Sequence, residues 1–427
     1  MTHALAAAER LGRKPETMLT LDAETTALLQ LDLSDPVEAA AAVYRQVRRG
    51  RHVVAVAGGV ADAAARLAQA LDAIGVASVR PEPGQSLLSD GVVIVAGPET
   101  TAHPARASAP ERPMRVVLAG CGVVGGGVLQ RLAGDPRFQV VGVLVRDPAK
   151  ARDVTVPPEL LLSDPAALLA LKPDILIEAV TDGPAGLSLI RAALEQGVAV
   201  VSANKQAVCD ALPELHALAE TAGIGLAYSA AVGGGSPLIE TVRRAASLGE
   251  VASIEAVLNG TCNFILNRLA EGVGFDAALS AAQAAGFAEA DPSADVEGLD
   301  AAAKLAILAW EATGCSPGAE QIARQTLSAG TALPQGRVRQ ISRLDARTGE
   351  AVVRFEAVDA ASPFYDLPDE ANALIITLTD GRAFSTRGRG AGRRPTTESV
   401  WADLIDLVER PGADTAQSLQ MRRNKRH

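Results

Sequence analysis

The stretch Met114-Arg115-Val116-Val117-Leu118-Ala119-Gly120-Cys121-Gly122-Val123-Val124-Gly125, followed by an apolar segment ending near Leu132, decides the fold. Residues 114–119 form a run of strand length, apolar except for Arg115, and the glycines follow as G-x-G-x-x-G before a helical pattern begins. Gly120 permits a tight turn, Gly122 lets backbone approach a pyrophosphate, and Gly125 lets the helix pack on the strand. The helix start at Val123 and Val124 supplies free amides and the positive end of the dipole. A second strand expected over Gln139 to Val145 completes a βαβ unit, so the motif sits in the context that dinucleotide binding requires. After that strand come Val145-Arg146-Asp147. Arg146 suits a ribose 2′-phosphate and Asp147 could favour the 2′-hydroxyl, so the reading is NADP, with NAD possible.

Working outward, apolar runs at Ile175 to Val180 and Val198 to Ser202, with a helix near Leu187 to Gln196, extend a parallel sheet. Ligands in such sheets bind beyond the strand carboxyl ends, which points to Thr181 after the first run and to Ala203-Asn204-Lys205 after the second. The fold class expected is α/β: a Rossmann-type dinucleotide-binding domain, an α+β substrate and dimerisation domain, and a further small N-terminal α/β region. The expected boundaries are 1–105 for the N-terminal region and 106–113 for a linker. They continue as 114–240 for the dinucleotide-binding domain, 241–386 for the substrate domain, 387–410 for a helix returning to the dinucleotide domain, and 411–427 for a tail. Within the N-terminal region, Val53 to Ala57 and Gly91 to Ala96 read as strands and Ala61 to Ile74 as a helix. No motif there assigns it a role.

The second informative stretch is Ala288-Glu289-Ala290-Asp291-Pro292-Ser293-Ala294-Asp295-Val296-Glu297-Gly298-Leu299-Asp300, leading through Lys304 into an apolar run. Pro292 and Gly298 interrupt any earlier helix, and Leu299, Ala303, Ala306 and Ile307 repeat at helical spacing. Asp300 and Lys304 therefore share one face, four residues apart. An i,i+4 ion pair on a surface helix would look the same. The flanking Ala, Leu and Ile residues make this helix a buried one, and buried charges persist where they are paired or used.

Composition bounds the alternatives. With 40 Lys and Arg against 50 Asp and Glu in 427 residues, the net charge of -10 argues against a nucleic-acid binder. The 4 cysteines form no C-x-x-C pair, which points to a reducing compartment, and no apolar run reaches membrane-spanning length. The expected location is cytoplasmic. Only 5 histidines occur, none within a motif, so lysines and carboxylates become the candidate acids and bases. Strand-like runs at Val338 to Ile341, Ala351 to Ala357 and Asn372 to Leu378 suggest a mixed sheet. Gly388 to Thr396 reads as a glycine-rich loop before a helix at Ser399 to Val408.

Taken in order, Gly120 to Gly125, Ala203-Asn204-Lys205, Val232-Gly233-Gly234-Gly235, Asn259-Gly260-Thr261, the stretch from Gly286 to Lys304, and Gly390-Ala391-Gly392 with Pro395-Thr396 resemble the homoserine dehydrogenase family. The resemblance implies reduction of L-aspartate 4-semialdehyde to L-homoserine, a step of threonine and methionine biosynthesis, by a homodimer acting on a small molecule. It implies Lys304 as general acid/base, Lys205 between cofactor and substrate, and Glu289 and Asp300 as ligands of the substrate ammonium. Thr181, Gly286 and Gly390 would be cofactor contacts beside Lys205. Ser229, Val232, Gly234 and Ser236 would match a monovalent-cation site, although Ser229 stands where the family usually has an acid. The competing expectations are a dehydrogenase of a related amino-acid aldehyde, and a non-catalytic regulatory paralogue; the joint presence of Lys205, Glu289, Asp300 and Lys304 argues against the latter.

Overall fold

The structure is a computed structural model that describes residues 26–60, 62–79, 92–96 and 112–409. Residues 106–111 of the expected linker and the tail at 411–427 lie outside them. The chain divides into two compact units, Met1–Ser108 and Ala109–His427. In the first, β1 (Thr26–Asp32), β2 (His52–Gly58), β3 (Ser78–Val79) and β4 (Val92–Ala96) pair in parallel in the order β1-β2-β4-β3. Central β2 is buried from Val53 onward, as a continuous apolar run in a parallel sheet should be. A helix spans Pro36–Arg48, with Asp35 accepting from the amides of Val37 and Glu38. The second helix, Ala63–Ala73, starts two residues later than its periodicity suggests.

In the second unit the glycine motif lies between β5 (Met114–Ala119) and the helix Val123–Ala133. β6 (Phe138–Leu144), β7 (Leu161–Leu162), β8 (Ile175–Glu178), β9 (Ala199–Ser202) and β10 (Leu226–Ala227) complete a parallel sheet of order β10-β9-β8-β5-β6-β7. The chain runs outward from β5 through β6 and β7, then returns to build the other side from β8. That reversal puts the ligand crevice of a doubly wound sheet between the ends of β5 and β8. The crossover helix Gly183–Glu195 begins a turn earlier than expected, because Asp182 caps it and Pro184 fits its first turn.

The remaining strands are β11 (Val251–Val257), β12 (Ala323–Arg324), β13 (Val338–Asp345), β14 (Ala351–Ala357), β15 (Ala371–Leu378) and β16 (Ala383–Arg389). They form a mixed sheet ordered β12-β14-β13-β11-β15-β16. β13 runs four residues past its expected end because it pairs with β14 on one side and β11 on the other. β16 replaces the start of the loop expected at Gly388; its alternating, half-exposed polar residues are those of an edge strand, for which apolar periodicity gives little signal. The helix Leu299–Thr313 lies between the two sheets, and one continuous core runs from Val117 and Leu176 through Ala302 and Ile307 to Ile254 and Leu374.

The last described helix, Arg393–Glu409, starts six residues before the expected Ser399. Pro395 falls in its first turn, where no intrahelical partner for its missing N–H is lost. This helix packs on Val123–Ala133: a Cβ on Gly127 would lie 2.3 Å from Thr397 Oγ1. Trp401 meets Phe138 at 5.5 Å between centroids, and Arg131 lies 4.8 Å over the Trp401 ring while pairing with Glu398 at 3.3 Å. Among the described residues no helix is long and apolar enough to cross a membrane.

Candidate active site

The crevice at the ends of β5 and β8 is a cleft of about 590 Å³ that includes Gly120, Gly122, Val123, Arg146, Thr181 and Arg393 in its lining. The glycine geometry fits a dinucleotide. Gly120 has φ +91°, and a Cβ there would lie 2.4 Å from Ala179 O. A Cβ on Gly125 would lie 2.0 Å from Gly120 O, so only glycine lets the helix approach the turn. A Cβ on Gly122 meets nothing within 4 Å, because its face opens onto the cleft. The side chains of Arg146 and Lys150 make no hydrogen bond or ion pair among the described residues. Arg152, by contrast, is spent on the carbonyls of Asp147, Pro148 and Lys150.

A second cavity, of about 940 Å³, adjoins the first through Thr181. It brings together Val124, Lys205, Gly286, Glu289, Asp300, Lys304 and Gly390 from the sequence-derived candidates. Asp300 is its centre. The carboxylate is buried, with Lys304 Nζ 2.7 Å from Oδ2 and Lys205 Nζ 3.0 Å from Oδ1. Lys304 also donates to Leu258 O at 2.7 Å. Burial alone would push the Asp300 carboxyl up, but Lys304 and Lys205 together outweigh it and hold it well below the carboxylate range. Conversely, Asp300 raises Lys205 above its ordinary value against the effect of burial. Both Asp300 oxygens are therefore engaged by ammonium groups of the chain itself, which makes it an organiser of the two lysines before it is a ligand for a third cation. Glu289 is exposed at the cavity wall.

Local folding explains the placement. Lys205 opens a short helix capped by Asn204, whose Oδ1 accepts from Ala207 N at 3.2 Å and whose Nδ2 donates to Glu178 Oε1 at 3.2 Å. Glu178 is fully buried at the end of β8, accepts from the Ser202 hydroxyl at 2.6 Å, and is pushed up by burial. Asn259 caps the helix Gly260–Ala270 through Oδ1, which accepts from Cys262 N at 2.7 Å. That leaves its Nδ2 to donate to Asp300 Oδ2 at 2.8 Å and to Asp295 Oδ1 at 2.6 Å. Asp295 lines the cavity, and burial, then Asp300, raise its carboxyl.

Asp295 and Glu178 are not among the sequence-derived candidates, whereas Asn259 reads from the sequence as a helix cap or a substrate contact. Asp295 stands in the quoted acidic stretch five residues before Asp300, and that spacing was the available signal. Glu178 gave none, since it reads as the polar end of an apolar strand.

Ser229, Val232 and Ser236 line neither cavity, whereas Gly234 lines the larger one. Ser229 N donates to the buried Asp403 at 2.9 Å, Val232 N to Ser229 O at 3.2 Å, and Ser236 N to Gly233 O at 2.8 Å. Ser236 Oγ is buried without a hydrogen-bond partner among the described residues. No group of three His, Cys, Asp or Glu side chains that could hold a metal occurs among the described residues.

Residues 237–405 match the family profile described as homoserine dehydrogenase, and residues 120–229 match the one described as homoserine dehydrogenase, NAD binding domain. Homoserine dehydrogenase of Synechocystis sp. is 33% identical over 321 residues, covering 69% of this chain and 73% of that one. The Pseudomonas aeruginosa enzyme is 32% identical over 327 residues, covering 71% and 74%. Among solved structures, a homoserine dehydrogenase from Thiobacillus denitrificans superposes with TM-score 0.63 at 29% identity, covering 71% of this chain and 75% of that one. A hyperthermophilic archaeal homoserine dehydrogenase in complex with NADPH shares the fold, with TM-score 0.62 at 24% identity over 70% and 98% of the two chains. The two adjoining profile matches, over residues 120–229 and 237–405, and the 33% identity to the Synechocystis enzyme place the chain in the homoserine dehydrogenase family, the NAD(P)-dependent oxidoreductases that convert L-aspartate 4-semialdehyde to L-homoserine.

Proposed function

We propose that the Lys205–Asp300–Lys304 cluster is the catalytic centre for this reduction, with NADPH as the preferred reductant. The observation that carries the assignment is one buried carboxylate holding two lysine ammonium groups at 2.7 and 3.0 Å inside a cavity that adjoins the dinucleotide cleft. A reduced nicotinamide supplies the hydride that the aldehyde carbon requires. Lys304 donates the proton that the aldehyde oxygen gains and stabilises the negative charge that develops on it. Lys205, on the cofactor side of Asp300, orients the carbonyl and adds a second positive charge. Asp300 keeps both ammonium groups in place. Glu289 and Asp300 take the substrate ammonium, with the Asp295 carboxylate beside them in the same cavity. Thr181, Gly286 and Gly390 border the nicotinamide, while Gly120, Gly122, Val123, Val124 and Gly125 hold the pyrophosphate.

Arg146 supports NADP over NAD, because an exposed guanidinium without an internal partner stands at the end of β6, where the ribose binds. A monovalent cation at the carbonyls of Ser229, Val232, Gly234 and Ser236 is supported by the orphaned Ser236 hydroxyl. A homodimer is supported by the mixed sheet: one face packs Ile254, Leu344 and Leu374 into the core, while the other leaves Glu255, Arg343, Glu356 and Ile375 half-exposed. Cytoplasmic residence, and a place in threonine and methionine biosynthesis, fit four free cysteines and this reaction. Replacing Arg146 by Ala tests the cofactor assignment: affinity for NADPH should fall while that for NADH holds. Equal affinities of the unaltered enzyme for both would remove the basis for preferring NADP.

A further inference from the structure

Arg393 breaks the electrostatic rule for helix starts. It opens the helix Arg393–Glu409, Arg394 follows it, and no acidic residue lies in that first turn. Cations at the positive end of a helix are unfavourable in isolation. Such a pair is favourable where an anion sits against it. The Arg393 side chain does not turn away to solvent: Nε donates to Val123 O at 3.2 Å and Nη2 pairs with Asp153 Oδ2 at 2.8 Å. One arginine thus ties the first residue of the C-terminal helix to the first residue of the helix that follows the glycine loop. Val123 is 60% exposed, and the open face of Gly122 lies beside it.

We propose that Arg393 is a cofactor-binding residue that clamps the pyrophosphate of the dinucleotide from the side opposite the glycine loop, exchanging Asp153 for phosphate when the cofactor enters. The inference rests on the dinucleotide reading of the cleft. The Arg393 hydrogen bond to Val123 O, at the start of the helix that follows the glycine loop, points to the pyrophosphate and not the 2′-phosphate. The exchange is favourable on magnitudes. Asp153 is 77% exposed and Arg393 37%, and surface pairs of this kind contribute little. A guanidinium on phosphate makes charge-assisted hydrogen bonds of roughly twice the strength of neutral ones.

The test is a fluorescence titration of the full-length protein and its R393A and D153N variants with NADPH and with NADH, and competition by 2′-AMP, which carries no pyrophosphate. R393A should weaken NADPH and NADH by the same factor, about 10- to 100-fold, the size expected for a lost hydrogen bond to a charged group. It should leave 2′-AMP competition unchanged. D153N should leave cofactor affinity unchanged or tighten it. Affinities of R393A within about 2-fold of the unaltered protein, against the expected loss, overturn the clamp while leaving the cofactor assignment intact. So does a loss confined to NADPH, which would make Arg393 a 2′-phosphate ligand. Equal weakening by D153N and R393A would reduce the pair to a structural tie. Failure of the unaltered protein to bind either nucleotide overturns the cofactor reading and the clamp together.

Discussion

Asp300→Asn removes one negative charge and almost no volume, so its effects report the charge. In the structure the carboxylate lies 2.7 Å from Lys304 Nζ and 3.0 Å from Lys205 Nζ. At an effective dielectric of about 20, each contact is worth roughly 6 kcal/mol before desolvation. Desolvation of the buried ions cancels much of that, and removing one partner of a buried pair costs about 3–5 kcal/mol net. The side chains of Asp300 and Lys304 are only 9% and 12% exposed, so water screens little of the loss; Lys205, at 32%, recovers more. Two ammonium groups are then left facing each other. Asp300 is the main cause that raises Lys205, so the alkaline limb of the pH–rate profile should move to lower pH in the variant. Turnover should fall by about 100-fold or more, the usual yield of a displaced acid or base. The assay is nicotinamide absorbance with L-aspartate 4-semialdehyde across a pH series, with cofactor affinity measured in parallel and expected to hold. Turnover within about 3-fold of the unaltered enzyme, where the account requires a far larger loss, with an unmoved alkaline limb, would refute the reasoning.

Other consequences are simpler. Gly125→Ala forces a Cβ to within 2.0 Å of Gly120 O, so it should cost about 1–3 kcal/mol in urea unfolding and abolish tight NADPH binding; normal affinity would show that the turn can yield. Glu178 is raised by burial, so its proton favours the folded state, and the stability it brings is present at low pH and lost as pH rises through the folded value. Glu178→Gln should therefore gain stability relative to the unaltered protein as pH rises above the ordinary glutamate range, and a pH-independent difference would contradict the linkage. Tyr228→Phe removes a buried hydroxyl that donates to Glu311 at 2.5 Å and meets His216 Nε2 at 2.7 Å. Arg243 still holds Glu311 at 2.8 and 2.9 Å, so the expected loss is about 1–3 kcal/mol and not collapse; an unchanged urea midpoint would show that the network carries no stability.

Much of this architecture is legible in the chain because its signals are local. The Gly120 to Gly125 spacing needs a strand before and a helix after, and both stand where the apolar runs put them. Asp300 and Lys304 could be paired from spacing alone, since four residues of helix fix their geometry. Lys205 is 95 residues before Asp300, and the general rule that strand ends line the crevice was what brought it near. The edge strand Ala383–Arg389 escaped because its polar, half-exposed side chains give no clear periodicity. The start of the last helix escaped because Pro395 reads as a breaker unless it is already known to lie in a first turn. Asn259 shows the remaining limit. Its capping role is visible in sequence, but the bridge from its amide to Asp295 and Asp300 depends on how two distant segments pack.

The central claim, that Lys304 delivers the proton in a nicotinamide-dependent reduction, is tested most directly by following NADPH oxidation with L-aspartate 4-semialdehyde for the unaltered protein and for Lys304→Ala. The account predicts rapid oxidation by the unaltered protein, and retained NADPH binding with turnover lowered by about 100- to 10,000-fold in the variant. Turnover by Lys304→Ala equal to that of the unaltered protein would contradict it.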